Sequence, residues 1–510
     1  MSKLVSVFTV NKELSSQKII AAERKMSKLV LDEASTAAKR LEGTSRQDGV
    51  RRIAARKTGG SKKWLINSQI VLTMLSCLLG GTLIYGWAAY EPLLKADDFY
   101  SSLCSNSTDG RAALNECPPQ QTALTLVFTV AAVAFTTTLL PCGVLADRLG
   151  PSTSGLISGL CLACGISSPI IKEDALLLPG FVLIGAGIAF SYATALKSVF
   201  LVRSTQRTFM LAAINSLFDS SALVPLVMNV LQRVGLATTG SLFAAHSVLV
   251  AVIFSLLSVG WMALLGGCRS DIADAREIGE SQGESLKDPR WSLSLREILR
   301  ERDYRWLACF TAIHIFRLNL YFGSVTQTLE SLGDDDNFYA LVFAASQPPL
   351  QILLSWPVSM IVVRLGHRRA LVLIVACCAV HGGLALVPAL LLQPVTFLSV
   401  AIYRVLFCTP HTGLEPRTNS NRPTHTRVRT LPWTDLVVPD LLAQTWGPHH
   451  SSTLVGMLFL FGGILCTAIY PLATLTNTAF GGDWTAANAA TLGIALGGSL
   501  CALRVLHRDV

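Results

Sequence analysis

Four side chains that carry or can carry charge stand inside long apolar runs: Asp219, His314, Arg317 and Arg404. A charge inside a bilayer costs several kcal/mol on the low side, so such residues are kept for a task. Tyr321 follows Arg317 by one helical turn and shares its face. Asn215 and Ser220 flank Asp219 with further polar groups, and Gln347 precedes the pair Pro348-Pro349. Two prolines within one run should kink it and free carbonyls to face a cavity. The chemistry these types suit is recognition of a small polar solute. A zwitterion needs a cation for its carboxylate and an acceptor for its ammonium, within apolar walls. Arg317 can serve the first need and Asp219 the second. In the competing arrangement Asp219 pairs with a buried arginine across the interface between two halves of the bundle. His314 fits a hydrogen-bonded cavity histidine before it fits a proton relay. No nucleophile–base pair, metal-ligand cluster or Gly-x-x-x-x-Gly-Lys phosphate loop stands in the sequence, so neither an enzyme, a cofactor nor a hydrolytic motor is expected.

The elements that must position these residues are membrane helices. The chain of 510 residues is 51% apolar and only 15% charged, a balance rare in soluble proteins. About twelve runs approach the ~20 apolar residues of a spanning helix. Among them, the fifth covers about 209–232, the seventh about 305–329 and the tenth about 395–409. Lys and Arg crowd the segment before Trp64 and the loops holding Arg148, Arg207 and Arg369. The opposite loops hold Asp97-Asp98 and Asp334-Asp335-Asp336. By the positive-inside rule both termini are expected in the cytosol. The first residues lack an apolar core, so no cleavable signal peptide is expected. The net charge of +9 then reflects topology, and no nucleic-acid partner is expected.

One phrase occurs twice. Pro141 to Gly150 and Pro357 to Gly366 share Pro, Arg, Leu and Gly in register, each closing one apolar run and preceding another. This predicts two related halves, each with the phrase in a short loop after its second span. In the first copy, Gly143 would allow close helix approach and Gly150 a tight turn. Asp147, with Arg148 beside it, would face a helix N-terminus of the other half and a cation of the fourth span, holding a cytosolic gate. The second copy keeps Arg364 and Gly366 but has Val363 in place of the acid. The alternative is a solvated turn that sets topology only.

The phrase Gly143-x-x-x-Asp147-Arg148-x-Gly150 resembles the signature loop of the major facilitator superfamily. Within it the chain resembles the sodium-independent large neutral amino-acid transporters and their equilibrative nucleobase-carrying relative. The residues behind this are Gly86-Trp87 with Leu94-Lys95, Asp98, Phe99, Leu103 and Cys104; Arg207 with Asn215, Phe218, Asp219, Ser220 and Ser221; Arg317-Leu318, Tyr321 and Gly323; and Arg404. The resemblance covers about 64–505. It implies an all-α membrane protein of twelve helices in two pseudo-symmetric six-helix halves. It also implies alternating access to a neutral amino acid, or else a purine nucleobase, by a monomer at the plasma membrane. A non-transporting receptor on a carrier fold is the reading from another class.

The expected organisation is a basic cytosolic tail at 1–63, a first bundle at 64–266, a cytosolic linker at 267–304 and a second bundle at 305–505. Leu293 to Tyr304 reads as one amphipathic helix on the membrane face. A polar, breaker-rich insertion at about 410–439 interrupts the tenth run. The interval Phe397 to Thr453 is about twice its counterpart Phe181 to Thr208. A retained intron or mis-predicted exon would explain this, and a real cytosolic or re-entrant loop is the alternative. Most of the 13 cysteines lie in apolar runs, where they act as small apolar residues. Cys104 and Cys117 share the first outward loop, on the oxidising side of a surface protein. A disulfide between them, or two free thiols, are both open. Asn106-Ser-Thr is a glycosylation acceptor.

Overall fold

The computed structural model describes residues 60–104, 117–202, 207–266, 293–334, 336–365, 367–408 and 451–508. The basic tail up to 59, Asn106, Gly366, most of the linker and the 410–439 insertion lie outside the described residues. The helices of the first half are α1 (Gly60–Gly80), α2 (Trp87–Ala96), α3 (Pro118–Leu149), α4 (Pro151–Ser167), α5 (Asp174–Ser198), α6 (Arg207–Ser220), α7 (Leu223–Arg233) and α8 (Thr239–Gly266). Those of the second are α9 (Leu295–Arg300), α10 (Arg302–Ser331), α11 (Phe338–Leu365), α12 (His367–Ala385), α13 (Gln393–Cys408), α14 (Ser451–Cys466), α15 (Ile469–Ala479) and α16 (Thr485–Arg508). Among the described residues there is no strand.

Nine helical segments of the described residues are long and apolar enough to cross a membrane, and the bent pair Trp64–Gly80 and Leu83–Ala96 makes a tenth. The protein is thus an integral, multi-pass, all-α membrane protein. The expected count of twelve is reached only with α10 and α12. Helix α10 has the length, at 30 residues, but carries too many polar side chains to register as apolar. It almost completely buries its core residues, including His314, Arg317 and Asn319. Helix α12 opens on His367-Arg368-Arg369, which leaves a short apolar stretch, Arg369–Ala385.

Three local expectations are corrected. The repeated phrase is not a loop in either half. Pro141 lies inside α3, which runs to Leu149, and Pro357 lies inside α11, which runs to Leu365. Each helix continues through its proline, and Gly150, at φ 84°, makes the turn after α3. Nothing lies within 4 Å of where a Cβ on residue 143 would stand, so Gly143 makes no close helix contact here. The single amphipathic helix expected over Leu293–Tyr304 is broken at Glu301, whose backbone is extended (ψ 137°). A capping box starts α9. The Ser294 amide donates to Glu297 Oε2 at 2.8 Å, and the Glu297 amide donates to Ser294 Oγ at 3.4 Å. The Ser294 backbone and hydroxyl donors hold the Glu297 carboxyl below the usual carboxylate range. Helix α9 also does not merely rest on a surface. It buries Ile298 in a cluster with Tyr304, Leu307, Leu454 and Leu458.

The first and fifth spans are each interrupted, and the interruptions touch. Helix α1 ends at Gly80, and a 3-10 turn, Leu83–Gly86, leads into α2 at a bend of 44°. Helix α6 ends at Ser220 and α7 resumes at Leu223. Backbone groups freed at the first break are satisfied at the second. The Thr82 amide donates to the Phe218 carbonyl at 3.1 Å and the Thr82 hydroxyl to the same oxygen at 3.0 Å. The contact requires glycine, because a Cβ on residue 81 would sit 2.5 Å from that carbonyl and 2.4 Å from the Cys77 carbonyl.

At the end of the bundle where α2 and α10 finish, the halves are bonded to each other. Lys95 Nζ donates to Glu330 Oε1 at 2.7 Å and Gln121 Nε2 to Glu330 Oε2 at 2.9 Å. Gln327 Nε2 reaches Thr125 Oγ1 at 2.7 Å, and Asn477 Nδ2 reaches Thr122 Oγ1 at 2.9 Å. At the same end Cys104 and Cys117 are joined as a disulfide, with Cα atoms 5.8 Å apart.

Gly81→Ala should destabilise the folded protein by about 2–3 kcal/mol, as steric overpacking against fixed backbone does. The midpoint of thermal unfolding in detergent would drop by several degrees, and an unchanged midpoint would count against the contact between the two breaks.

Candidate functional site

Where the two breaks meet, the structure places a cavity of about 90 Å³. One water needs roughly 10–15 Å³ of such space, so the cavity has room for several waters or part of a small solute. Its polar lining includes Thr82, Tyr192, Asn215, Asp219, Asn319 and Arg404. Aromatic walls come from Tyr85, Phe218, Phe322, Phe407 and others. Both halves contribute: α6 brings Asn215 and Asp219, α10 brings Asn319 and Phe322, and α13 brings Arg404.

The strongest interaction in it is the pair between Arg404 Nη2 and Asp219 Oδ1, 2.5 Å apart across the two halves. The arginine is buried and the aspartate one-fifth exposed, toward the cavity. A third side chain completes it. With its amide turned so that both ends are satisfied, Gln351 of α11 donates to Asp219 Oδ2 at 2.8 Å and accepts from Arg404 Nη1 at 3.0 Å. Thr82 Oγ1 adds a weaker contact to Asp219 Oδ1 at 3.4 Å. The guanidinium also lies over the rings of Tyr85 (4.1 Å to the centroid) and Phe322 (4.8 Å). Cation–π contacts of this kind strengthen when the cation is desolvated. Arg404 is therefore held by a carboxylate, an amide and two aromatic faces, contributed by helices of both halves.

Of the residues singled out in the sequence, the cavity brings together Asp219, Asn215 and Arg404. Ser220 is buried at the end of α6, its hydroxyl donating to the Ser216 carbonyl at 2.6 Å. Gln347 is buried one turn before Gln351 and donates to the Phe397 carbonyl at 3.0 Å. Arg317, Tyr321 and His314 are absent from the cavity lining. They share one face of α10, as their spacing requires, but Ile315, Leu318, Asn319 and Phe322 form the face that meets the cavity. The Arg317 face turns into the second half instead. There Arg317 Nη1 donates to the Asn488 carbonyl at 3.1 Å and to the Thr491 hydroxyl. His314 is hydrogen-bonded at both ring nitrogens, to Tyr403 Oη at 2.6 Å and Ser499 Oγ at 3.1 Å. Tyr321 packs edge-on against His381, ring centroids 4.5 Å apart. Arg317 and Asp219 thus do not flank one pocket.

Sequence reasoning missed Gln351, Asn319, Thr82 and the aromatic pair Tyr85 and Phe322. A polar amide within an apolar run was the available signal for Gln351, which stands one turn from Gln347 and so shares its face. Of the phrase at Gly143 to Gly150, Arg148 is exposed at the end of α3 and Gly150 makes the turn to α4. Arg364 lies in the last turn of α11, and Asp147 in the last turn of α3.

Removing either charge alone would leave the other buried and uncompensated, at a cost of about 3–5 kcal/mol. Asp219→Asn and Arg404→Gln should each lower the unfolding midpoint in detergent markedly, and the double variant should fall by much less than their sum. Additive losses would show that the two groups do not interact.

No protein-family model matches the sequence. The chain is 31% identical over 204 residues to the large neutral amino acids transporter small subunit 3 of Mus musculus, covering 36% of this chain and 35% of that one. It is 29% identical over 181 residues to Protein FMP42 of Saccharomyces cerevisiae, covering 34% of each. The human large neutral amino acids transporter small subunit 3 is 27% identical over 206 residues, 37% of this chain and 35% of that protein. The matched stretch thus spans about a third of the length of these relatives. Two solved structures align over 87% of this chain. The human organic anion transporter MFSD10 does so at TM-score 0.52 and 14% identity, across 99% of its own chain. An auto-inhibited POT family peptide transporter does so at TM-score 0.55 and 11% identity, across 97% of its chain. The helical arrangement of this protein, with its central cavity between two halves, is therefore the major facilitator fold.

Proposed function

We propose that the protein is a secondary transporter of neutral amino acids that works by alternating access around the central cavity. The observation that carries this reading is the Asp219–Arg404 pair. It joins the two halves at the cavity, where the first and fifth spans are broken. The names of the mouse and human relatives support the substrate class. A neutral amino acid is itself an ion pair joined by one carbon. Its carboxylate can take the place of Asp219 at Arg404, and its ammonium can take the place of Arg404 at Asp219. The Asn319 side chain, which also lines the cavity, offers a further acceptor beside them. The exchange preserves charge balance, so solute can loosen the link between the halves without stranding a buried ion. A ligand that makes comparable contacts in both open states then speeds passage between them without favouring either.

The bonds at the Lys95–Glu330 end would close one entrance in this conformation. We read that entrance as the outward one and both termini as cytosolic, which the distribution of Lys and Arg supports, and we take the plasma membrane as the site of action, which the glycosylation acceptor at Asn106 supports. A purine nucleobase is the second reading. The flat aromatic walls, with Asn215 and Asn319 between them, favour it, since amides can pair with the edge of a base.

Uptake of labelled leucine and labelled adenine by transporter-deficient cells expressing the full chain separates these readings. Saturable leucine uptake, not competed by adenine, is expected. Arg404→Lys keeps the charge but loses the planar fork. It should reduce uptake about tenfold or more at equal surface expression, as loss of a charged hydrogen bond implies. Saturable adenine uptake without leucine uptake would move the function to nucleobases.

A further inference from the structure

Two arginines are buried among the described residues, both in the second half. Arg404 has the Asp219 carboxylate against it. Arg317, 2% exposed, has none. An arginine side chain stays charged at any pH a folded protein tolerates, so loss of a proton cannot relieve its burial. Helices α11 to α16 contain no aspartate or glutamate. The two acids of α10, Asp303 and Glu330, stand near its ends, each about 20 Å along the axis from Arg317. The side chains within electrostatic reach are Cys378, Tyr403, Tyr321 and His381. These are a thiol, two phenols and an imidazole, none of them anionic at neutral pH. Hydrogen bonding is equally one-sided. Nη1 donates to the Asn488 carbonyl at 3.1 Å, more weakly to the Asn488 Oδ1 at 3.5 Å, and to the Thr491 hydroxyl. Nε and Nη2 are buried and have no hydrogen-bond partner.

The two nitrogens left over are the ones that form an edge. Nε–H and the adjacent N–H of Nη2 point the same way in one plane, the fork that clasps a planar oxyanion through two parallel bonds. A spherical ion cannot use both bonds at full strength. Tyr321, one turn further along the same face, brings a buried hydroxyl that also has no partner. We propose that the free edge of Arg317 binds a small planar oxyanion, a carboxylate or bicarbonate, within the second half and apart from the central cavity. The anion supplies the charge that α10 to α16 lack at this depth, and the Tyr321 hydroxyl offers it a third donor. His381, against which Tyr321 packs edge-on, adds no charge. Its Nδ1 lies 3.2 Å from Ser399 Oγ, whose own proton goes to the Thr396 carbonyl at 2.7 Å, so Nδ1 carries the proton of a neutral ring. Its Nε2, without a partner, is then an acceptor. Bicarbonate, which keeps an O–H, can bond it as well, whereas a carboxylate cannot. The site does not rest on the transporter reading, since none of Arg317, Tyr321 and His381 lines the cavity.

The test reads the thermal unfolding midpoint of the purified full chain in detergent, after overnight exchange. Sodium formate, or sodium bicarbonate at pH 8, replaces sodium chloride in steps at constant ionic strength. The midpoint of the parent should rise and saturate with at least one of the two, because a ligand of the folded state stabilises it by mass action. A rise with formate identifies a carboxylate site, and a rise with bicarbonate alone identifies bicarbonate. Arg317→Lys keeps the charge and loses the fork, so the concentration for half the rise should increase about tenfold or more. Tyr321→Phe keeps the fork and removes the third donor. It should still saturate, at severalfold higher concentration, and it decides the matter if Arg317→Lys does not fold. Arg404→Lys should respond as the parent does. No rise in the parent, or the same concentration dependence in the parent, Arg317→Lys and Tyr321→Phe, overturns the site. A response lost in Arg404→Lys and kept in Arg317→Lys overturns it too, by placing the anion in the central cavity.

Discussion

A buried charge in a membrane interior has to be answered by another, and the Asp219–Arg404 pair is where this fold answers it across its own midline. The aspartate belongs to the first half and the arginine to the second. Neither half can present its residue to the other without approaching closely at the same depth. Gln351, Tyr85 and Phe322 then complete the coordination of the guanidinium. Single buried pairs often contribute little net stability, because the desolvation cost consumes the attraction. On the transporter reading proposed above, a pair that is costly to separate and nearly neutral to exchange suits an interface that opens only for the right solute.

The pair depends on backbone that is irregular at membrane depth, which is tolerated only where protein or a cavity satisfies it. Helix α1 stops at Gly80 and α6 at Ser220, and each break supplies the other's missing hydrogen bonds through Thr82 and Phe218. Asp219 stands one residue after the carbonyl that receives them, so the break that binds the helices together also sets the carboxylate. Glycine at 81 is a condition of this approach. A continuous helix in either span would carry Asp219 along a regular face and remove the cavity's floor. The irregularity of the two helices and the placement of the charge are one feature.

Much of this was legible in the sequence. The apolar runs announce the membrane helices, and a charge within a run marks Asp219, Arg404, Arg317 and His314 as special. The alternative in which Asp219 pairs with a buried arginine across the halves corresponds to the geometry found. The assignment of Arg317 to the same pocket as Asp219 does not. Periodicity fixes which residues share a face of α10, and Arg317 and Tyr321 do, but it cannot fix which way that face turns. That helix is polar on two sides, one toward the cavity through Asn319 and one into the second half through Arg317. Tertiary packing alone decides between them. The repeated phrase misled in another way. Proline and glycine read as loop punctuation, whereas Pro141 and Pro357 sit inside long helices and, in the first copy, Gly150 alone turns the chain.

The two inter-half links differ in their balance of charge. At the centre one cation faces one anion, and a zwitterion can substitute for both at no change in net charge. At the Lys95–Glu330 end one cation lies between two acids, Glu91 and Glu330. Helix α2 carries Glu91 and Lys95, and α2 is continuous through the 3-10 turn with Tyr85, which lies against Arg404. A shift of this short helix changes the stacking on the arginine and the sharing of the lysine together. The bend of 44° between α1 and α2 sets this short helix apart from α1, so contacts of both links hang on one short element.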